Sequence, residues 1–338
     1  MSFRSNILVA SLALASLSVS SAAFAQYKVT NLVSNQEGTA LVTDPLLVNA
    51  WGITYGPGGP YWISDANSGW STLYDSTGTK VALNVLIPTV GEDGPGSPTG
   101  IVNNTSTEFQ IKGFPSVFLF ATLDGTISGW SPSLNRNTAF VTVKTPTAVY
   151  TGLAITNKPS GNVLFAADNK NNRVDIYNAD FKLVSSFNDK TLPDGFAPFG
   201  VQDFGGLVYV TFASASGAPG GYIDIFDESG NFVKQLASGK PLNQPWGLAI
   251  APKNFGPFSN TLLVTNNTNT GIINAFNAVT GQFVGTLTNT QGEVIQIDQL
   301  WGIKFGDGTG KNGATNQLFF TAGPDNNFTG LFGEISFE

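Results

Sequence analysis

The chain contains no histidine and no cysteine. Without imidazole there is no Ser-His-Asp or Cys-His catalysis, no His-ligated zinc and no histidine general acid–base chemistry. Without thiols there is no disulfide, redox pair or thiolate metal site. Any bound metal must be held by oxygen, which points to calcium or magnesium. Charge is sparse as well: Asp, Glu, Lys and Arg supply 12% of the 338 residues, with a net charge of −7. That acidic balance disfavours nucleic acid and anionic membranes, so no nucleic-acid partner is expected. Helical periodicity is missing over any useful length. The Gly-rich stretches therefore open no helix, and phosphate-loop and dinucleotide fingerprints are absent.

The first 25 residues read as a leader rather than as part of the fold. Arg4 precedes an apolar run from Ile7 to Leu17, and Ala23-Phe24-Ala25 is a cleavage signal. Gln26 is expected to begin the mature protein, a single domain over 26–338 that is secreted or periplasmic. No later run is long enough to span a membrane, so no stable insertion is expected after cleavage.

One phrase recurs six times: a small or aromatic residue, then Gly, then an aliphatic residue. It reads Trp51-Gly52-Ile53, Thr99-Gly100-Ile101, Thr151-Gly152-Leu153, Phe199-Gly200-Val201, Trp246-Gly247-Leu248 and Trp301-Gly302-Ile303. A period near 50 residues means one supersecondary unit repeated around an axis. Gly suits the crowded axis, where backbones approach closely. Trp51, Phe199, Trp246 and Trp301 are expected to pack between neighbouring units, or else to form an aromatic platform at the channel mouth.

Within each period the same signals return. In the third unit, strands are expected at Gly152–Ile155, Val163–Ala167, Arg173–Tyr177 and Phe181–Phe187, separated by turn-forming Pro, Gly, Asn and Asp. The fourth and fifth units repeat the pattern. Four strands per unit and six units predict an all-β fold, a six-bladed β-propeller with four-stranded blades. The last unit holds only three strands, and Tyr27 to Val33 is left over at the other end. Pairing that strand with the final blade closes the ring and leaves no edge at the seam.

Strand direction sorts the connections onto two faces. The top face receives the connections between blades and those joining second to third strands. Asp44, Glu92, Asp93, Asp194 and Asp298 fall in the first set. Asp65, Asn67, Asp124, Asp168, Asn169, Asn266, Asn267, Asp325 and Asn326 fall in the second. The candidate ligand-binding set on this face is Asp65, Asp124, Asp168, Asn169, Asp194, Asn266 and Asp298 with Trp51, Trp246 and Trp301. Oxygen ligands around one axis could hold calcium through Asp168, Asp298, Asp65 and Asn266. The same residues also suit tight turns, because Asp and Asn bond their own backbone. The Gly306–Gly313 hairpin falls on the bottom face. It lacks the spaced carboxylates of a calcium loop and reads as a flexible turn.

The stretch Leu164-Phe165-Ala166-Ala167-Asp168-Asn169-Lys170-Asn171-Asn172-Arg173-Val174-Asp175-Ile176-Tyr177 resembles the NHL repeat. The whole mature chain is similar to a family of secreted bacterial proteins with no assigned activity. Asn49-Ala50-Trp51-Gly52-Ile53, Phe120-Ala121-Thr122, Asp124-Gly125-Thr126, Ala197-Pro198-Phe199-Gly200 and Gln244-Pro245-Trp246-Gly247 carry that likeness. The resemblance implies a six-bladed fold and export, and it implies no substrate. Six-bladed calcium-dependent lactonases share the architecture; the paraoxonase type relies on histidine, which is missing here.

The sequence thus supports a monomeric scaffold that binds a protein, glycan or small molecule through its top face. A calcium-dependent hydrolase or lactonase built on the top-face acids is the alternative. A structural component of an envelope or matrix is the third reading.

Overall fold

A computed structural model describes residues 27–337. The expected leader and cleavage site fall outside them. Six antiparallel blades surround one axis, as the repeat predicts. The first runs Ala50–Tyr55, Tyr61–Asp65, Trp70–Tyr74 and Lys80–Leu86 from the axis outward. The second runs Pro98–Asn103, Phe118–Thr122, Thr126–Trp130 and Phe140–Lys144. The third comprises Tyr150–Ile155, Val163–Asp168, Arg173–Asn178 and Leu183–Phe187. The fourth comprises Phe196–Phe204, Leu207–Ser214, Tyr222–Asp227 and Phe232–Ser238. The fifth comprises Pro245–Ile250, Thr261–Asn266, Ile273–Asn277 and Phe283–Thr286.

The sixth blade is built from both ends of the described chain. Leu300–Phe305, Gln317–Ala322 and Leu331–Phe337 provide its inner strands. Tyr27–Ser34 then pairs antiparallel with Leu331–Phe337, in register from Tyr27 opposite Phe337 to Ser34 opposite Leu331. The two-residue strand Val42–Thr43 covers the outer edge of Tyr27–Ser34 in parallel. The seam closes as expected from the missing fourth strand.

Two local features depart from the sequence reading. The outer strand of the third blade begins at Leu183 rather than at Phe181, because Phe181 has a φ of 61° and a left-handed residue cannot continue a strand. An extra hairpin, Gln110–Ile111 with Phe114–Pro115, projects from the bottom of the second blade. Its turn carries Lys112 and Gly113 at positive φ.

The core is divided between blades. Each of six hydrophobic clusters fills one interface between neighbours, including the interface between the sixth blade and the first. In Val163–Asp168 the alternation is plain. Leu164 and Ala166 point to the second blade, while Phe165 and Ala167 point to the fourth. Both faces of a second strand are therefore dry, which is why these strands read as apolar runs without polar alternation.

Several buried acids interrupt this pattern. Asp224, in the third strand of the fourth blade, is fully buried beside Asp189 from the connection leaving the third blade. Burial, and then the neighbouring carboxylate, push its pKa up to about 7. The group is therefore protonated in the fold at pH values where it ionises in the unfolded chain. Its contribution to stability is undiminished below pH 4, falls as pH rises towards 7 and levels off above that. Asp224→Asn removes this term, at most about 4 kcal/mol for three units at 1.36 kcal/mol each. The melting temperature of Asp224→Asn should gain on that of the wild type between pH 4 and pH 8. A constant difference across that range would contradict the assignment.

Candidate functional site

The six phrases assemble the axis in layers. The glycines form a ring in which each lies against the inner strand of the next blade. A Cβ on Gly52 would meet the Thr99 carbonyl, one on Gly100 the Leu153 amide, and one on Gly200 the Trp246 carbonyl. One on Gly247 would meet the Trp301 carbonyl, and one on Gly302 the Trp51 carbonyl. All five of these approaches are closer than 3.0 Å, and Gly152 follows at 3.2 Å from the Phe199 carbonyl. Below the glycines the third phrase residues, Ile53, Ile101, Leu153, Val201, Leu248 and Ile303, narrow the waist. The space left between the two rings is about 50 Å³, enough for one or two waters.

Each inner strand is bulged at its phrase, so the pairing with the second strand skips there. A hydroxyl from one of two places serves the bulge. Thr211, Thr265 and Thr321 face the phrases that begin with an aromatic residue in the fourth, fifth and sixth blades. Each accepts from the phrase glycine amide at 2.7–3.0 Å. Thr265 and Thr321 also donate to the carbonyls of Trp301 and Trp51 in the next blade. In the second and third blades the phrase itself begins with Thr, and the facing residues are Ala121 and Ala167. Thr99 then makes the bond to the next blade, to the Tyr150 carbonyl at 2.6 Å.

Above the glycines the aromatic residues close the top mouth. Trp51 and Trp301 have ring centroids 3.9 Å apart, Trp246 and Trp301 5.7 Å, and Phe199 and Trp301 5.7 Å. Trp246 in the fifth blade donates its indole N–H to the Thr151 carbonyl in the third, at 2.9 Å, and so reaches across the axis. Trp301 donates to Asn49 Oδ1 at 3.1 Å. Asn49, Gln244 and Gln299, each two residues before a phrase tryptophan, all have left-handed φ near 50°. The tryptophans do pack between neighbours as expected, but they turn inward and seal the mouth.

The other top-face candidates are spread over separate loops, and most hold a neighbouring amide or hydroxyl, though one oxygen each of Asp65, Asp124 and Asp298 is buried without a partner among the described residues. Asp65 is buried, its pKa driven well up by burial, and its Oδ2 accepts from Thr72 N and Oγ1. Asp168 accepts from Val149 N and from Asn171 N and Nδ2. Asp124 accepts from Val90 N, and Asp298 from Asp325 N. Asn266 accepts from Asn243 N and donates to the Pro241 carbonyl. Asn169 donates to the Pro198 carbonyl, while Asp194 stands exposed. Their chemistry is that of turns and loop tethers. Among the described residues no three acidic side chains are grouped so that they could hold a metal ion.

The bottom mouth is open. A cavity of about 370 Å³ is bounded by Thr54, Tyr55, Asn103, Thr105, Asn157, Gln202, Lys304 and Asp307 over a floor of Ile53, Ile101 and Ile155. A second lobe of about 210 Å³ shares Ile53, Tyr55, Gln202 and Lys304 with the first. It continues over Phe204, Leu248, Ala249, Ile250, Ile303 and Phe305. Together the lobes draw on all six blades. A broader groove of about 910 Å³ lies off the axis, beside Tyr27 and Asp298.

Lys304 sits where the two lobes meet, its amine 4.9 Å over the Tyr55 ring. Burial lowers its pKa, offset in part by Asp307. Tyr55 donates to the Phe305 carbonyl at 2.9 Å, and burial and then Asp307 push its pKa up to about 12. Asp307 is held at about 2: burial opposes ionisation, but bonds from the Thr309 hydroxyl and amide and from the Gly58 amide, with the Asn312 side chain close by, outweigh it. The Gly306–Gly313 hairpin is thus tied to the first blade, with Tyr61 donating to the Asn312 carbonyl at 2.8 Å, and forms one wall of the funnel. Lys304 and Gln202 are the residues that the sequence reading passes over. The signal lies two places after each phrase glycine: Thr54, Val102, Ala154 and Ala249 in four blades, but Gln202 and Lys304 in the other two.

No family model matches the chain. It is 29% identical over 334 residues to an uncharacterised protein of Acanthamoeba polyphaga mimivirus, covering 91% of this chain and 80% of that protein. A second uncharacterised protein of the same virus is 28% identical over 338 residues, covering 93% and 86%. Among solved structures, a glucose dehydrogenase aligns with a TM-score of 0.59 at 11% identity, covering 91% of this chain and 98% of that one. Virginiamycin B lyase from Staphylococcus aureus aligns at 0.52 and 13%, covering 93% and 100%. At these identities the likeness is one of fold.

The glycine ring yields a graded test. Gly200→Ala should cost about 2–4 kcal/mol in urea unfolding, because its methyl meets fixed backbone, while Gly152→Ala costs about 1 kcal/mol. Equal costs would contradict the layered axis.

Proposed function

We propose that this protein is a ligand-binding propeller whose recognition site is the bottom-face funnel. One observation carries the reading: the axial channel is sealed above by four aromatic residues and opens below into a two-lobed cavity reached from every blade. Concave sites with an apolar floor and a few convergent polar groups are the usual form of small-molecule pockets. The ring holds those groups on strand ends and tied hairpins, which favours a preorganised site. The ligand is a small molecule that fits a cavity of a few hundred cubic ångströms.

Asn157 is exposed at the rim of the first lobe. Asn157→Trp should obstruct the funnel without touching the core. In saturation-transfer NMR with a mixed fragment library, the wild type should show bound fragments that Asn157→Trp loses at unchanged melting temperature. Fragments retained equally by both would place binding elsewhere and overturn the reading.

A further inference from the structure

Within the funnel, charge is arranged unevenly. Lys304 is its cation, half-buried, and makes no hydrogen bond or ion pair among the described residues; its one close partner is the Tyr55 ring face. Asp307, the carboxylate at the wall, is occupied by donors from Gly58 and Thr309. Gln202 and Asn157 extend neutral amides into the first lobe and make no side-chain hydrogen bond among the described residues. The side chains lining the second lobe are apolar apart from Tyr55, Gln202 and Lys304, and exposed backbone adds polar surface between them. An ammonium partly withdrawn from water and without an acceptor is well placed to gain from a bound anion.

Resting on the funnel reading, we propose that the ligand is an amphipathic monocarboxylate. Its carboxylate meets Lys304 where the lobes join, its apolar body lies against Leu248, Ile250 and Phe204, and any further polar groups face Gln202 and Asn157. A second negative charge is disfavoured, since it would enter either the apolar lobe or the neighbourhood of Asp307. A cationic ligand meets Lys304 unfavourably. A sugar would need an open aromatic face to stack on, and the Tyr55 face is taken by the amine.

The probes are octanoate, its neutral isostere octanamide, and octanedioate, titrated calorimetrically into wild type, Lys304→Met, Lys304→Arg and Asn157→Trp. Octanoate should bind the wild type about 10- to 100-fold more tightly than octanamide or octanedioate. Lys304→Met should lose that preference while still binding octanamide, and Lys304→Arg should keep it. Any proton uptake that accompanies octanoate binding should grow as pH is raised, read from titrations in buffers of different ionisation enthalpy, because the carboxylate favours the charged amine. Equal affinity for octanoate and octanamide, or undiminished octanoate binding by Lys304→Met, would overturn the carboxylate assignment and leave the funnel intact. Octanoate binding unaffected by Asn157→Trp would overturn the funnel as well. Absence of binding by any probe to the wild type would overturn the carboxylate proposal alone, the fragment comparison then deciding the funnel.

Discussion

Six backbones meet at the axis with no side chain between them, and the rest of the molecule is arranged around that contact. A Cβ at five of the six phrase glycines would collide with the backbone of the next blade. Close approach puts carbonyls of one blade within reach of threonine hydroxyls of its neighbour, and those hydroxyls fill the bulges that the approach creates. The same geometry dictates what lies above and below. A large residue before the glycine can only turn over the mouth, and an aliphatic residue after it can only fill the waist. One short phrase, repeated, thus encodes both a sealed top and a shaped floor.

Most of the fold was legible because these constraints act locally and repeat. The spacing of the glycines sets the blade number, and the short sixth unit together with the spare strand at Tyr27 sets the closure. The apolar second strands follow from burial against two neighbours. Phe181 and the hairpin at Gln110–Pro115 were not legible. A left-handed phenylalanine carries no compositional mark, and a two-residue strand carries no periodicity.

The candidate site was legible in chemistry but not in place. Asp65, Asp168, Asn266 and Asp298 were singled out as oxygen ligands, and each also accepts from a backbone amide. Asp and Asn serve turns and ligands with the same atoms, so composition alone cannot separate the two roles. Trp51, Trp246 and Trp301 were expected to pack between blades or to form a platform at the channel mouth, and which of the two holds depends on ring orientation. Lys304 stood in plain view as a cation in a position that is apolar or neutral elsewhere. Only the axis gives it meaning, by bringing it together with Tyr55 and Gln202 from two other blades and with Asp307 from the turn after its own strand.

The account's central claim is that recognition takes place on the bottom face. Hydrogen–deuterium exchange of the full chain, with and without saturating octanoate, tests it most directly. Slowed exchange in 53–57, 101–105, 155–157, 202–204 and 303–307, with residues 44–51 and 325–329 unchanged, is the predicted result. Protection confined to 44–51 and 325–329 would return the site to the top face and contradict the account.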